Sequence, residues 1–274
     1  MDAALQRRVQ RYGWDKAAGY YEEFWQHQLE PAQSLLLEMA DLRPGESVLD
    51  IACGTGLVSF RAADAVGEMG SVMGADISDA MVGIARRAAA HRNIRNVDFE
   101  RMDAEQLSIE DESFDVVLCS LGLMYVPDSG RALTEMFRCV KPGGRLIAAV
   151  WGERSNCGWA EIFPIVDRRV ASEVCPLFFQ LGTGDSIRYR FESAGLTDVV
   201  IVRIATTLSY SGPDDACGAA FAGGPVALAY SRFDERVRRE AHQEYLASIE
   251  PFRSGGGYSI PGEFVVARGF KKKN

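Results

Sequence analysis

Asp50, Gly54 and Gly56 carry the first chemical signal in this 274-residue chain. Residues 48–57 read Val-Leu-Asp-Ile-Ala-Cys-Gly-Thr-Gly-Leu, and Leu57, Val58 and Phe60 open an apolar pattern of helical spacing. That order predicts a buried parallel strand, a tight turn and a helix start, which together bring backbone close to a nucleotide-like ligand. Glycine at 54 and 56 permits a left-handed backbone and leaves room where a Cβ would meet the ligand. A second strand over 71–75 ends at Asp76, about 20 residues past Gly56, where a carboxylate can accept hydrogen bonds from two ribose hydroxyls. A nicotinamide-dependent oxidoreductase would share these features, but the third glycine of its fingerprint falls on Ser59 here.

Later segments separate the two classes. A third strand, Val-Asp-Phe-Glu-Arg at 97–101, runs into Met102, Asp103 and Ala104. A fourth, 114–120, ends at Ser120, and Asp115 is expected to be structural at its start. Lys141-Pro142-Gly143-Gly144 leads into a fifth strand over 145–150. Together these residues resemble the class I S-adenosylmethionine-dependent methyltransferases, and within them the small-molecule branch that includes quinone-biosynthesis methyltransferases. The resemblance is strong over residues 45–151 and weaker towards the C-terminus.

The resemblance implies an α/β fold: a doubly wound seven-stranded sheet of the Rossmann-like methyltransferase type, with an antiparallel last strand and helical lid insertions. It implies S-adenosyl-L-methionine as cofactor. Asp50, Ala52, Gly54 and Gly56 would form the loop under the methionine portion, and Asp76 would hold the ribose. Asp103 would meet the adenine amino group, Ala104 would offer its N–H to the ring, and Ser120 would lie beside the sulfonium. Ile77, Met81 and Tyr20 complete the implied cofactor set. The chain departs from the family's D-x-G-x-G-x-G pattern at Ala52, where a methyl replaces the first glycine and is expected to reshape the loop slightly.

The elements that must position these residues fall into an N-terminal helical lid (1–44) and a methyltransferase domain (45–274) with cap insertions at about 152–184 and 209–262. Helical stripes run through Met81, Ile84, Ala85 and Ala88, and through Leu133, Met136, Phe137 and Val140. A helix near 185–194, a strand near 199–208 and a last strand over 263–268 complete the sheet. The second insertion holds a small-residue helix (214–223) and a charged helix (234–249), more than a hairpin between two strands requires. Extra helices at that edge would cover the carboxyl ends of the strands, where such sheets bind ligands. Trp25, Tyr125, Trp159, Phe178, Phe179, Phe221 and Tyr230 are the candidate acceptor-lining groups, and as a set they favour an apolar, ring-containing substrate.

The implied reaction is an in-line displacement at a methyl carbon, which needs alignment and exclusion of water rather than an acid for the leaving group. His27, His91 and His242 are the only histidines, and none falls at a strand tip. No catalytic residue is assigned. An acceptor that is already nucleophilic, or help from a tyrosine or an acid, remains open. The six cysteines have no metal-like spacing with the histidines, so no metal is expected. An alternative has Cys157, Cys175 and Cys217 binding a metalloid for methylation. A net charge of −8 argues against nucleic acid as partner. No apolar run is long enough to span a bilayer, and no signal segment opens the chain. A small-molecule acceptor, a cytoplasmic location and a possible homodimer are the expectations.

Overall fold

The computed structural model describes residues 3–170, 175 and 177–273. Two helices come first, α1 (Ala3–Ala17) and α2 (Tyr21–Ala40). Strands and helices then alternate: β1 (Ser47–Ile51), α3 (Leu57–Val66), β2 (Ser71–Asp76), α4 (Asp79–Arg92), β3 (Val97–Arg101), β4 (Phe114–Ser120), α5 (Ser129–Cys139) and β5 (Val140–Trp151). The remainder holds α6 (Ile162–Asp167), α7 (Ser186–Ser193), β6 (Thr197–Tyr210), α8 (Pro213–Cys217), α9 (Ala227–Tyr230), α10 (Glu235–Ile249), β7 (Arg253–Ser254) and β8 (Gly257–Phe270).

The sheet runs β3-β2-β1-β4-β5-β8-β6, with β7 paired to β8. Strands β1 to β5 are parallel, and β8 lies antiparallel between β5 and β6. This is the doubly wound sheet with an antiparallel last strand implied by the sequence. Strand order reverses between β1 and β4, which opens a crevice beyond their carboxyl ends. Register makes those ends level, because Ile51 pairs with Ala75 on one side and Cys119 on the other. The turns after β1, β2 and β4 therefore meet at one place.

The core explains the strand assignments. Val48, Leu49, Val116, Val117 and Leu118 are wholly buried, as central strands covered on both faces require. Helix α2 lays Leu29, Ala32, Leu36 and Ala40 against β5 and β8 at helical spacing. Asp115 is structural, as expected: its carboxylate accepts from the Ser47 amide at 2.9 Å and from Lys141 Nζ at 2.9 Å. It thus ties the amino ends of β1 and β4 to the amino end of β5.

Two expectations shift in detail. Helix α4 buries Met81, Val82, Ala85 and Ala89, so its inner face is turned from the expected line through Ile84 and Ala88. Strand β6 runs through Tyr210 and β8 begins at Gly257, which leaves residues 211–256 between them. Asp234 caps α10 by accepting from the Val237 amide at 2.9 Å, so this charged helix starts where its acid predicts. Among the described residues no helix is long and apolar enough to cross a membrane.

Candidate active site

The turn after β1 is built on left-handed backbone. Ala52, Gly54 and Gly56 have φ of +56°, +56° and +93°. For Ala52 this is an unfavoured conformation, and the opposing loop makes space for its methyl: a Cβ on Gly122 would lie 2.2 Å from the Cβ of Ala52. The departure from the family pattern is thus matched across the crevice by a glycine after β4. Ser59, which stands where a dinucleotide fingerprint has its third glycine, is wholly buried and donates its hydroxyl to Asp50 at 2.6 Å.

Two carboxylates meet here. Asp50 is wholly buried; one oxygen takes the Ser59 hydroxyl, and the other is sealed without a partner among the described residues. Burial pushes its carboxyl up to about 7, with the Asp76 charge adding to the shift against the Ser59 hydrogen bond. Asp76 accepts from the Gly54 amide at 2.9 Å and from the Ser78 amide at 2.8 Å, one on each oxygen. Burial raises Asp76 to about 6 even against those bonds. Ser120 Oγ and Thr55 Oγ1 are also sealed without partners among the described residues. Buried acids and hydroxyls in this state favour a ligand that brings positive charge and hydrogen bonds.

A cleft opens at the strand ends, lined by Ala52, Gly54, Asp76, Ile77, Met81, Asp103, Ala104 and Ser120 among others. Asp50 lines a small annex with Ala52, Cys53, Leu57, Val58 and Ser120. Gly56 lies behind the turn, packed against Phe60 and Phe99, and caps α3 with its backbone. Asp103 takes the Glu105 amide at 2.9 Å and lies 3.2 Å from Arg7 Nε.

A second, smaller chamber adjoins the first and shares Trp14, Tyr21, Leu121 and Tyr125 with it. Its other walls include Trp25, Trp151, Trp159, Phe178, Tyr210 and Tyr245, and among the described residues no charged side chain lines it. Trp14 meets the rings of Tyr21 and Tyr125 edge-on at 5.9 and 5.2 Å, so the three aromatics form a neck between the cavities.

Several sequence-derived candidates fall elsewhere. Tyr20 is 50% exposed, stacks on Phe24 and lines neither cavity. It occupies the position before α2, and the helix turns its neighbour Tyr21 inward instead. Phe179 packs behind Trp159, Phe163 and Phe178 rather than on the chamber surface. Phe221 is wholly buried between Tyr230, His242 and Tyr245, and Tyr230 bonds His242 at 3.0 Å; both serve the interior of the cap. Cys157, Cys175 and Cys217 line neither cavity, and among the described residues no three ligating side chains gather for a metal.

The sequence reading placed a helical lid over 1–44 but named none of the α1 residues that line the cavity. Arg7, Gln10 and Trp14 line the first cavity at the three- and four-residue steps of one helical face. Arg7 Nε donates to the buried Glu105 at 2.6 Å, Arg11 pairs with Asp79 at 2.5 Å, and Asp15 accepts from the Ser78 hydroxyl at 2.6 Å and the Ala80 amide at 3.1 Å. These bonds hold α1 over the start of α4. Buried glutamines at positions 6 and 10 were the available signal, since polar residues at helical spacing within an inward face need a partner.

With this geometry in hand, known proteins can be compared with the chain. Residues 42–162 match the family model described as a methyltransferase domain. The chain is 36% identical over 156 residues to the ubiquinone/menaquinone biosynthesis C-methyltransferase UbiE of Ectopseudomonas mendocina, covering 57% of this chain and 59% of that protein. It thus spans about three-fifths of the length of that curated relative. Among solved structures, the YcgJ protein of Bacillus subtilis superposes with a TM-score of 0.63 at 17% identity, covering 89% of this chain and all of that one. The Haemonchus contortus phosphoethanolamine N-methyltransferase 2 complexed with S-adenosyl-L-methionine gives 0.61 at 16% identity, covering 95% and 57%. The fold is that of the class I methyltransferases, and the chain resembles their UbiE-like members over its central segment.

Proposed function

We propose that the protein transfers a methyl group from S-adenosylmethionine to a small organic acceptor held in the aromatic chamber. The observation that carries this reading is the pairing of two buried carboxylates with unpartnered buried hydroxyls at the crevice between β1 and β4. A positively charged ligand with ribose hydroxyls satisfies all of them. When bound, the cofactor supplies an electrophilic methyl on a cationic sulfur, with a neutral thioether as leaving group.

The chain's own residues hold and align. Asp76, fixed by the Gly54 and Ser78 amides, would accept from the ribose hydroxyls with its remaining lone pairs. Gly54 would lie under the methionine portion, and Asp50, with the amino end of α3, would face its charged groups. Asp103 and Ala104 would meet the adenine, Ile77 and Met81 would flank it, and Ser120 would stand near the sulfonium. Trp14, Tyr21, Leu121 and Tyr125 form the neck at which methyl and acceptor would meet with water excluded. No side chain is assigned as base: His27 and His91 are exposed, and His242 is bound to Tyr230 in the cap.

Helix α1, the first turns of α2, the described residues of 152–184 and the segment 211–256 act in this reading as a lid over the acceptor. A ring-bearing acceptor of the quinone-precursor kind suits both the chamber and the name of the UbiE relative. Unpaired, buried cysteines suit a reducing cytoplasm, and a homodimer is compatible with it. Titration calorimetry with S-adenosylhomocysteine and with NADH tests the reading: binding of the first alone is expected, and binding of NADH alone would overturn it.

A further inference from the structure

The chamber is uncharged, yet it is not inert. Tyr21 and Tyr125 stand at the neck and Tyr210 and Tyr245 line the deeper wall. None of the four hydroxyls has a hydrogen-bond partner among the described residues, although Tyr230 of the cap and Tyr258 of β8 do. None is sealed away like the indole nitrogens of Trp25 and Trp159. Among the described residues the chamber is therefore lined by phenols and by no carboxylate, imidazole or ammonium.

Burial pushes the phenols of Tyr21, Tyr125, Tyr210 and Tyr245 above their ordinary range, so all four are neutral donors at physiological pH. The two at the neck are close enough that ionising Tyr21 would disfavour ionising Tyr125. An incoming acceptor thus meets the phenols of Tyr21 and Tyr125, both packed on Trp14 at the neck, and among the described residues of the chamber finds no base to take a proton from it.

We propose, resting on the cofactor reading above, that the chamber takes its acceptor as an anion, an acidic phenol or enol already ionised, whose oxygen is received by the hydroxyls of Tyr21 and Tyr125. The proton leaves to solvent before entry. The acceptor's electron pair forms the new bond to the methyl carbon while the S–CH3 pair returns to sulfur. One negative and one positive charge become two neutral molecules. An apolar chamber suits that step, because charge is being cancelled as the bond forms and little solvation is needed in the transition state. An amine acceptor would instead leave a cation in a chamber with no carboxylate to face it.

The groups that can confuse a pH profile are Asp50 and Asp76 beyond the neck, Cys175 near Tyr125, and Cys217 near Tyr245. The test is therefore equilibrium binding, with 4-nitrophenol as a probe whose anion absorbs visible light and 4-nitroaniline as its neutral counterpart. Each is titrated into the protein saturated with S-adenosylhomocysteine, or with an adenosyl analogue that carries an ammonium in place of the sulfonium. The nitrophenolate should bind about tenfold or more tighter beside the cationic analogue than beside the neutral one, and its ionisation should move to lower pH. Tyr21→Phe and Tyr125→Phe should each weaken the anion several-fold while S-adenosylhomocysteine affinity is kept. Ionisation moved to higher pH, equal binding of 4-nitroaniline, or no binding of either probe to protein that holds S-adenosylhomocysteine would overturn the proposal alone. Failure to bind S-adenosylhomocysteine would overturn it together with the cofactor reading.

Discussion

Ala52 and Leu121 both hold left-handed backbone, φ +56° and +58°, at the carboxyl ends of adjacent strands, and both line the first cavity. Such residues lose about 1–2 kcal/mol relative to ordinary backbone, and they persist where surrounding structure over-determines them. Ala52→Gly should therefore stabilise the protein by about 0.5–1 kcal/mol, allowing for glycine's greater freedom when unfolded; thermal or denaturant unfolding reads this, and a loss of stability would show that the methyl packing on Gly122 outweighs the strain. Asp76→Ala should weaken cofactor binding by about 1.5–3 kcal/mol, the usual loss for hydrogen bonds to a charged group. Gly54→Val should abolish binding, because a β-branched side chain would enter the cavity from left-handed backbone. Most of this site was legible in sequence. Asp50, Gly54, Asp76, Asp103 and Ser120 sit at strand ends, and strand ends follow from local apolar runs. Tyr20 was one residue out, since a helix moves successive side chains by about 100° and only packing fixes which of Tyr20 and Tyr21 faces inward.

The N-terminal helices were legible as a lid, but not which side chains of α1 face the cavity, because nothing local marks them. The role of α1 rests on contacts to α4 and to the turn after β3, far away in sequence. If α1 covers the cofactor, Asp15→Ala should speed cofactor release, since it removes a bond to Ser78, the cap residue of α4. Stopped-flow release of S-adenosylhomocysteine measures this, and an unchanged rate would separate α1 from access to the cavity. The cap was legible in its helices but not in its aromatics. Phe178 and Phe179 are adjacent, yet Phe178 reaches the chamber while Phe179 supports it from behind. Phe221 and Tyr230 pack on α10 instead, a choice made by the tertiary fit of the cap's helices. Replacing residues 211–256 with a short turn should spare cofactor affinity and remove turnover.

For the molecule as a whole, the two buried carboxylates couple stability to pH. Asp50 and Asp76 have folded values near 7 and 6, above the ordinary 3.8, because burial opposes their charge. Their contribution to stability is thus fully present below about pH 4 and is lost as pH rises through 6 and 7. A cationic ligand reverses the balance by favouring both carboxylates. Binding of S-adenosylmethionine near pH 6 should release protons, less so at pH 8, and S-adenosylhomocysteine should release fewer; calorimetry in buffers of different ionisation heat counts them. The account stands most directly on one titration, S-adenosylmethionine into the wild-type chain and into Asp76→Ala. It predicts a single equivalent bound by the wild type and an affinity about tenfold or more lower in the variant. No binding to the wild type, or the same affinity in both, would contradict it.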